Sequence, residues 1–413
     1  MFVVALMVVY LRLPLLFHEP RFWAEEGSLY FAHAYSHPWW LASTQVQMGY
    51  FALWPNIATT IAAQVVSIQT APLVTTVFAL LVQLLPVGMV IWSRSDLWRG
   101  FFVKMFGVAL ILFIPHSQEV WLNTINSQFF FSLVTFLILL EDLDATRLRR
   151  WGYRILLVLA GLTGWVSCFL TPLFVLRYYL EKKPEGLTQA VLLSLCTVLH
   201  TVVLGKAMSE GVLGRELEFD VTTLVLVVWI KSIALVYLSA KGALLSAQVF
   251  LYLEKFSEVF VGLLIPLMGM TNVAFFYWIS RDIRLLQRVM MLGSYLLLIT
   301  LSTIGALAHD STLILPFAGP RYSYVPNVIM SMMLLMSVAE RLRTTAEVGR
   351  DARLRLLLVL LSMSLVFGVR SYAISFREAD HLPRWRDEIA IWRTLPDHNP
   401  RIWPDGWEVP LSP

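Results

Sequence analysis

Apolar runs that approach the thickness of a bilayer recur along almost the whole chain, and they restrict it to one class of fold. They are 1–17, 72–92, 101–115, 125–140, 153–168, 169–181, 187–205, 257–279, 289–308, 322–339 and 355–374. A helix crosses the hydrocarbon core with about 20 predominantly apolar residues. Several runs are shorter than that, and 153–181 reads either as two tightly turned spans or as one long bent one. Of 413 residues, 58% are hydrophobic and 15% charged, whereas a soluble domain carries roughly a quarter charged residues. The expectation is an all-α polytopic membrane protein of about eleven transmembrane helices. Amphipathic interfacial helices are expected in its outer loops.

Basic residues assign the sides. Arg94, Arg99 and Lys104 form one cluster, and Arg147, Arg149, Arg150 and Arg154 the next. Arg177, Lys182 and Lys183 follow, then Arg281, Arg284 and Arg288, then Arg341, Arg343, Arg350, Arg353 and Arg355. With the spans above, all five clusters fall on one side, and Lys and Arg mark the cytoplasmic face. The N-terminus is then cytoplasmic in the cell (inner) membrane, and the chemistry lies on the periplasmic face. A transmembrane domain covers 1–374, with outer loops 18–71, 116–124, 206–256 and 309–321. A short outer tail covers 375–413 and, with three prolines between 396 and 404, is expected to run extended over the outer face.

Residues 221–238 are apolar enough to span, yet one crossing there would invert every later cluster. They read as an interfacial or re-entrant helix with Lys231 and Lys241 at the head groups. Residues 50–66, interrupted by Pro55 and Asn56, read the same way. The segment 1–17 lacks a basic start and a small-residue cleavage site, so it reads as a signal-anchor helix. Two readings fit Arg12 within it: snorkelling to the interface, or an anion contact near the outer surface. Cys168 and Cys196 lie in apolar runs and read as core thiols. A pI near 9 is no argument for nucleic acid in a chain that places its cations by side.

Polar constellations gather in the outer loops. The first reads His18-Glu19-Pro20-Arg21-Phe22-Trp23-Ala24-Glu25-Glu26-Gly27. Adjacent carboxylates beside a bilayer helix are costly and mark function more often than stability. On a helix they point about 100° apart, so one can face a site while the other pairs with Arg21. A carboxylate here can serve as a general base for an acceptor hydroxyl; the competing reading is an interfacial belt facing water. The second loop offers Glu119, Trp121, Asn123 and Asn126. The carboxamides suit sugar hydroxyls and Trp121 suits a pyranose face, while Asn123 also reads as a helix cap. In 309–321, Arg321 opens an inward helix where its forked donors match a phosphate; the competing reading is an interface anchor. His309 and Asp310 are a candidate pair for a divalent cation, Mg or Mn, although two residues make a weak metal signal. Zinc spacing, a phosphate-binding glycine loop, GxSxG and a dinucleotide fingerprint are all lacking. An outward-facing transferase without a nucleotide-binding domain needs a lipid-linked donor.

The chain resembles the GT-C superfamily of polytopic glycosyltransferases, which includes protein O-mannosyltransferases, aminoarabinose transferases and arabinosyltransferases. The resemblance rests on Trp23-Ala24-Glu25-Glu26 after the first span, Gly49-Tyr50-Phe51-Ala52-Leu53-Trp54, and Gly319-Pro320-Arg321-Tyr322. It implies a catalytic carboxylate in the first outer loop, Glu25 or Glu26, and a polyprenyl-phosphate-sugar donor. The donor phosphate is expected on Arg321, Tyr322 and Arg12. Substrate contacts are expected from Trp54, Glu119, Trp121, Asn126 and His309. The acceptor would be a glycan, lipid or protein. Two rivals are a polymerase or ligase acting on polyprenyl-diphosphate glycans and a lipid or solute transporter. The first leans on several outer arginines, and the second predicts paired half-helices.

Overall fold

The helix Arg321–Thr344 lies at the centre of the molecule, with 94% of its apolar window buried. Small residues along it, including Ser323, Ser331 and Ser337, let neighbouring helices approach from every side. It packs against Phe101–Leu112, Ser127–Leu140, Glu258–Ser280, Leu285–Ile304 and Ala352–Tyr372. The computed structural model describes residues 1–47, 49–211, 220–255, 258–305, 310–344, 351–374, 376, 383–395 and 397–411.

The described chain is mostly helical. Its strands there are two short hairpins, Val46–Gln47 with Tyr50–Phe51 and Arg401–Ile402 with Trp407–Glu408. Six described helices are long and apolar enough to cross a membrane: Ala71–Trp92, Pro184–Ser209, Val261–Ser280, Leu285–Ile304, Arg321–Thr344 and Ala352–Tyr372. Phe2–Arg12, Phe101–Leu112 and Ser127–Leu140 are shorter apolar helices. The run 153–181 forms Arg147–Gly161, a single turn Trp165–Cys168, and Thr171–Glu181. The chain breaks at Gly164, whose φ is +93° and where a Cβ would come within 2.4 Å of the Gln128 side-chain oxygen.

Two segments are more closely packed than a surface layer would be. Residues 221–254, which contain the 221–238 segment read as interfacial or re-entrant, are broken into several helices, and most of 221–238 is buried. They form Val221–Val227, a π-helical stretch Val228–Ala234, Leu235–Tyr237 and then Ser239–Glu254. Lys231 is buried, with its ammonium on the Ala318 carbonyl, while Lys241 is exposed. The tail is folded rather than extended. Its helix Trp385–Thr394 and its hairpin pack on the segment that follows the first helix, forming a second apolar core with Phe22, Phe31, Trp385, Ile389, Ile402 and Val409. Glu388, fully buried, ties this unit together. It accepts bonds from His398 Nε2 at 2.8 Å, from Arg401 N at 3.0 Å and from Arg401 Nη2 at 2.9 Å.

Candidate functional site

The two adjacent carboxylates of the first loop have different surroundings. Ala24 adopts a left-handed conformation with φ of 45°, sparsely populated for a residue bearing a Cβ. The chain turns there into the π-helical segment Glu26–Phe31. Glu26 points inward and is only 1% exposed. It accepts from the Thr124 backbone N–H at 2.7 Å, the Thr124 hydroxyl, Trp23 N at 3.2 Å and Thr75 Oγ1 at 3.3 Å. Burial raises its carboxyl above the ordinary 4.5, against those donated bonds. Glu26 therefore ties the first loop to the second and to the helix Ala71–Trp92.

Glu25 is half-buried and lines a cavity of about 300 Å³. Among the described residues no hydrogen bond or ion pair holds its carboxylate. The expected pairing of Glu25 or Glu26 with Arg21 does not occur. Arg21 instead lies 3.9 Å from Glu19, because the turn at Ala24 carries both later acids away from it.

Arg321 lines the same cavity together with Tyr322 and Asn126. It stands just after Gly319, whose φ is +54° and where a Cβ would come within 2.8 Å of the Tyr322 ring. Glu119 accepts from the Arg321 backbone N–H at 3.1 Å and from the guanidinium Nη1. Arg321 Nη2 donates to the Tyr322 hydroxyl at 3.2 Å. A guanidinium has five donors, so these contacts leave others for a ligand. The Asn126 side chain donates to the Glu119 carbonyl at 2.8 Å, fixing the second loop beneath the arginine. Tyr50, Gln128 and Ser302 add polar groups to the wall, and Trp165, Phe169, Leu204 and Leu301 make the rest apolar.

The other expected site residues lie elsewhere. Arg12 is no phosphate ligand of this cavity, and it does not snorkel. It is 9% exposed, donates to Ser117 Oγ at 2.7 Å, and stacks over Trp121 at 4.2 Å and Tyr372 at 5.2 Å. Trp121 is thereby buried and cannot stack on a sugar. Its indole N–H donates to the Val9 carbonyl at 3.3 Å. Trp54 packs on Phe78 and Phe131 and donates to the Phe78 carbonyl at 3.1 Å. Glu119 holds Arg321 and does not line the cavity. His309 and the side chain of Asp310 lie outside the described residues. Among the described residues, no three His, Cys, Asp or Glu side chains are grouped to hold a metal. The sequence reading missed Trp165, Phe169, Leu204 and Leu301. An apolar residue in an apolar run carries no signal of which one faces a cavity.

Comparison of the chain with protein-family models, with curated proteins and with solved structures found no match in any of the three.

Proposed function

We propose that the protein is an integral-membrane glycosyltransferase of the GT-C kind. It takes a sugar from a polyprenyl-phosphate donor and passes it to a glycan, lipid or protein acceptor. The observation that carries this reading is the carboxylate of Glu25, held by no hydrogen bond or ion pair among the described residues, sharing one largely apolar cavity with the guanidinium of Arg321. Such a site suits a ligand with an apolar chain, an anionic group and hydroxyls. Arg321 and Tyr322 hold the phosphate. Glu25 accepts the proton of the acceptor hydroxyl as its oxygen attacks the anomeric carbon. The bond from that carbon to the phosphate oxygen breaks, and the electron pair leaves with the polyprenyl phosphate. Arg321 offsets the charge gathering on that leaving group. Glu26 orients the loop and touches no reactant.

In this reading about eleven helices span, the six long ones and three shorter apolar ones together with Arg147–Gly161 and Thr171–Glu181, with the N-terminus cytoplasmic, the site on the periplasmic face and the protein in the inner membrane. Five basic clusters on one side support that orientation. The test supplies membranes containing the protein with a panel of radiolabelled polyprenyl-phosphate sugars. One of them should be consumed, and Glu25→Gln should stop consumption. No turnover of any donor by protein that binds prenyl phosphate would favour a transporter. Turnover of diphosphate-linked glycans alone would favour a polymerase or ligase.

A further inference from the structure

Asn126 stands in the wall of the cavity that holds Glu25 and Arg321, and the proposed reaction gives it no part. It is 3% exposed, so the bonds around it decide what its carboxamide can offer a ligand. A carboxamide nitrogen has two hydrogens to donate, and the oxygen only accepts. Asn126 Nδ2 donates to the Glu119 carbonyl at 2.8 Å and to Asn123 Oδ1 at 2.8 Å. Both hydrogens are therefore used.

The orientation of this amide follows from the same bonds. The Glu119 carbonyl is an acceptor in any arrangement. Asn123 Oδ1 is one too, because it also accepts the Asn126 backbone N–H at 3.1 Å, while Asn123 Nδ2 donates to the Glu119 carbonyl at 2.8 Å. Turning the Asn126 amide over would set its oxygen against two other acceptors. The Asn126 carbonyl is engaged as well, accepting from Phe129 N at 3.1 Å. That leaves Oδ1. Among the described residues it accepts no hydrogen bond, and it is not sealed in the interior.

Glu119 ties this acceptor to the cation of the cavity. Its carbonyl takes the two asparagine amides, and its carboxylate takes the Arg321 backbone N–H at 3.1 Å and the guanidinium. A fixed acceptor and a fixed guanidinium are thus set against one residue. A site built to bond a hydroxyl rejects an analogue that lacks it, because the buried polar group is then left unpaired. We propose that Asn126 is a specificity-determining residue for the transferred sugar, its Oδ1 accepting a hydrogen bond from a sugar hydroxyl. The substrate class is then a sugar with a free hydroxyl at that point. A deoxy carbon, a methyl ether or a carboxylate there has no proton to give. The inference rests on the reading of Arg321 as the phosphate ligand. The competing account is that Asn126 only holds its loop beneath Arg321 and that water meets Oδ1.

Calorimetric titration of the full-length protein in nanodiscs separates the two. The probes are geranyl phosphate and geranyl phosphates bearing glucose, galactose, mannose or arabinose. In the wild type, at least one glycosylated probe should bind more tightly than geranyl phosphate. Asn126→Leu should weaken that probe about tenfold, the cost of leaving one buried donor unpaired. It should weaken geranyl phosphate by less than about threefold, close to ordinary additivity. An equal loss on both probes, no loss on either, or no wild-type preference for any glycosylated probe overturns the role given to Asn126. Failure of the wild type to bind geranyl phosphate overturns the phosphate reading, and the inference with it. Should Asn126→Leu not fold, the monodeoxyfluoro analogues of the tightest glycosylated probe decide in the wild type. Fluorine cannot donate, so one position should cost about tenfold, and equal affinity at every position overturns the proposal.

Discussion

Trp23 and Trp403 lie side by side as a parallel backbone bridge, although they come from opposite ends of the chain. The Trp403 carbonyl accepts from Ala24 N, and Trp403 N donates to the Phe22 carbonyl at 3.2 Å. The tail thus grips the residues immediately before Glu25. Trp385 adds edge-on contacts to Phe22 and Phe31, with ring centroids 5.2 and 6.3 Å apart. A left-handed Ala24 is held in place by this clasp from one side and by the Glu26 bonds from the other.

Glu25→Gln should reduce transfer by about 10²–10⁴-fold, the usual contribution of a general base. The amide keeps the shape of the side chain, and no hydrogen bond to Glu25 among the described residues is lost, so folding and donor binding should survive. Steady-state rates alongside donor binding check this. A loss of less than tenfold would remove the base from Glu25.

Glu26→Gln should act mainly on stability. An amide nitrogen replaces one of two oxygens that accept from Thr124, Trp23 and Thr75, and it meets a donor where it needs an acceptor. An unsatisfied buried group costs about 1–3 kcal/mol. Thermal unfolding should show the loss, while transfer by the folded fraction should fall less than for Glu25→Gln.

Arg321→Lys should weaken donor binding by about 1.5–3 kcal/mol, the range for a charged hydrogen bond. An ammonium cannot serve Glu119, Tyr322 and a phosphate through one planar fork. Donor affinity unchanged in well-folded protein would leave Arg321 a structural partner of Glu119.

Acid should open the tail clasp. Burial raises the Glu388 carboxyl, but the bonds from Arg401 and His398 outweigh it, so the group titrates below its ordinary 4.5. A carboxyl with a depressed folded pKa adds stability that is present above the unfolded value and lost as pH falls through the folded one. Protection of 385–395 and 397–411 from hydrogen exchange should therefore hold at pH 6 and fall as pH drops below 4.5. Glu388→Gln should abolish that dependence.

Trp403→Ala should cost about 3–5 kcal/mol, the range for deleting a buried large aromatic, because the side chain is 1% exposed. Its effect should reach catalysis through the Glu25 loop. Transfer should fall even at temperatures where unfolding assays show folded protein. Full activity in that folded fraction would make the clasp purely structural.

The membrane-like helical character is written in the apolar runs, since they leave a chain no other way to bury its backbone polar groups in lipid. The sequence also marked the acid pair and Arg321, because a charge beside an apolar run is conspicuous by its cost. It could not tell Glu25 from Glu26. That choice depends on Thr75 and Thr124, which are remote in sequence and become donors to one carboxylate only when the helices pack. The same holds for Glu119, read as a substrate ligand and found on Arg321, and for Arg12 and Trp121, which stack on each other away from the cavity. Lys231 read as an interfacial anchor, because hydropathy alone places a lone lysine at the membrane edge. Packing turned it inward, where the Ala318 carbonyl meets its charge. Contacts between distant segments are set by packing, and packing has no local signature.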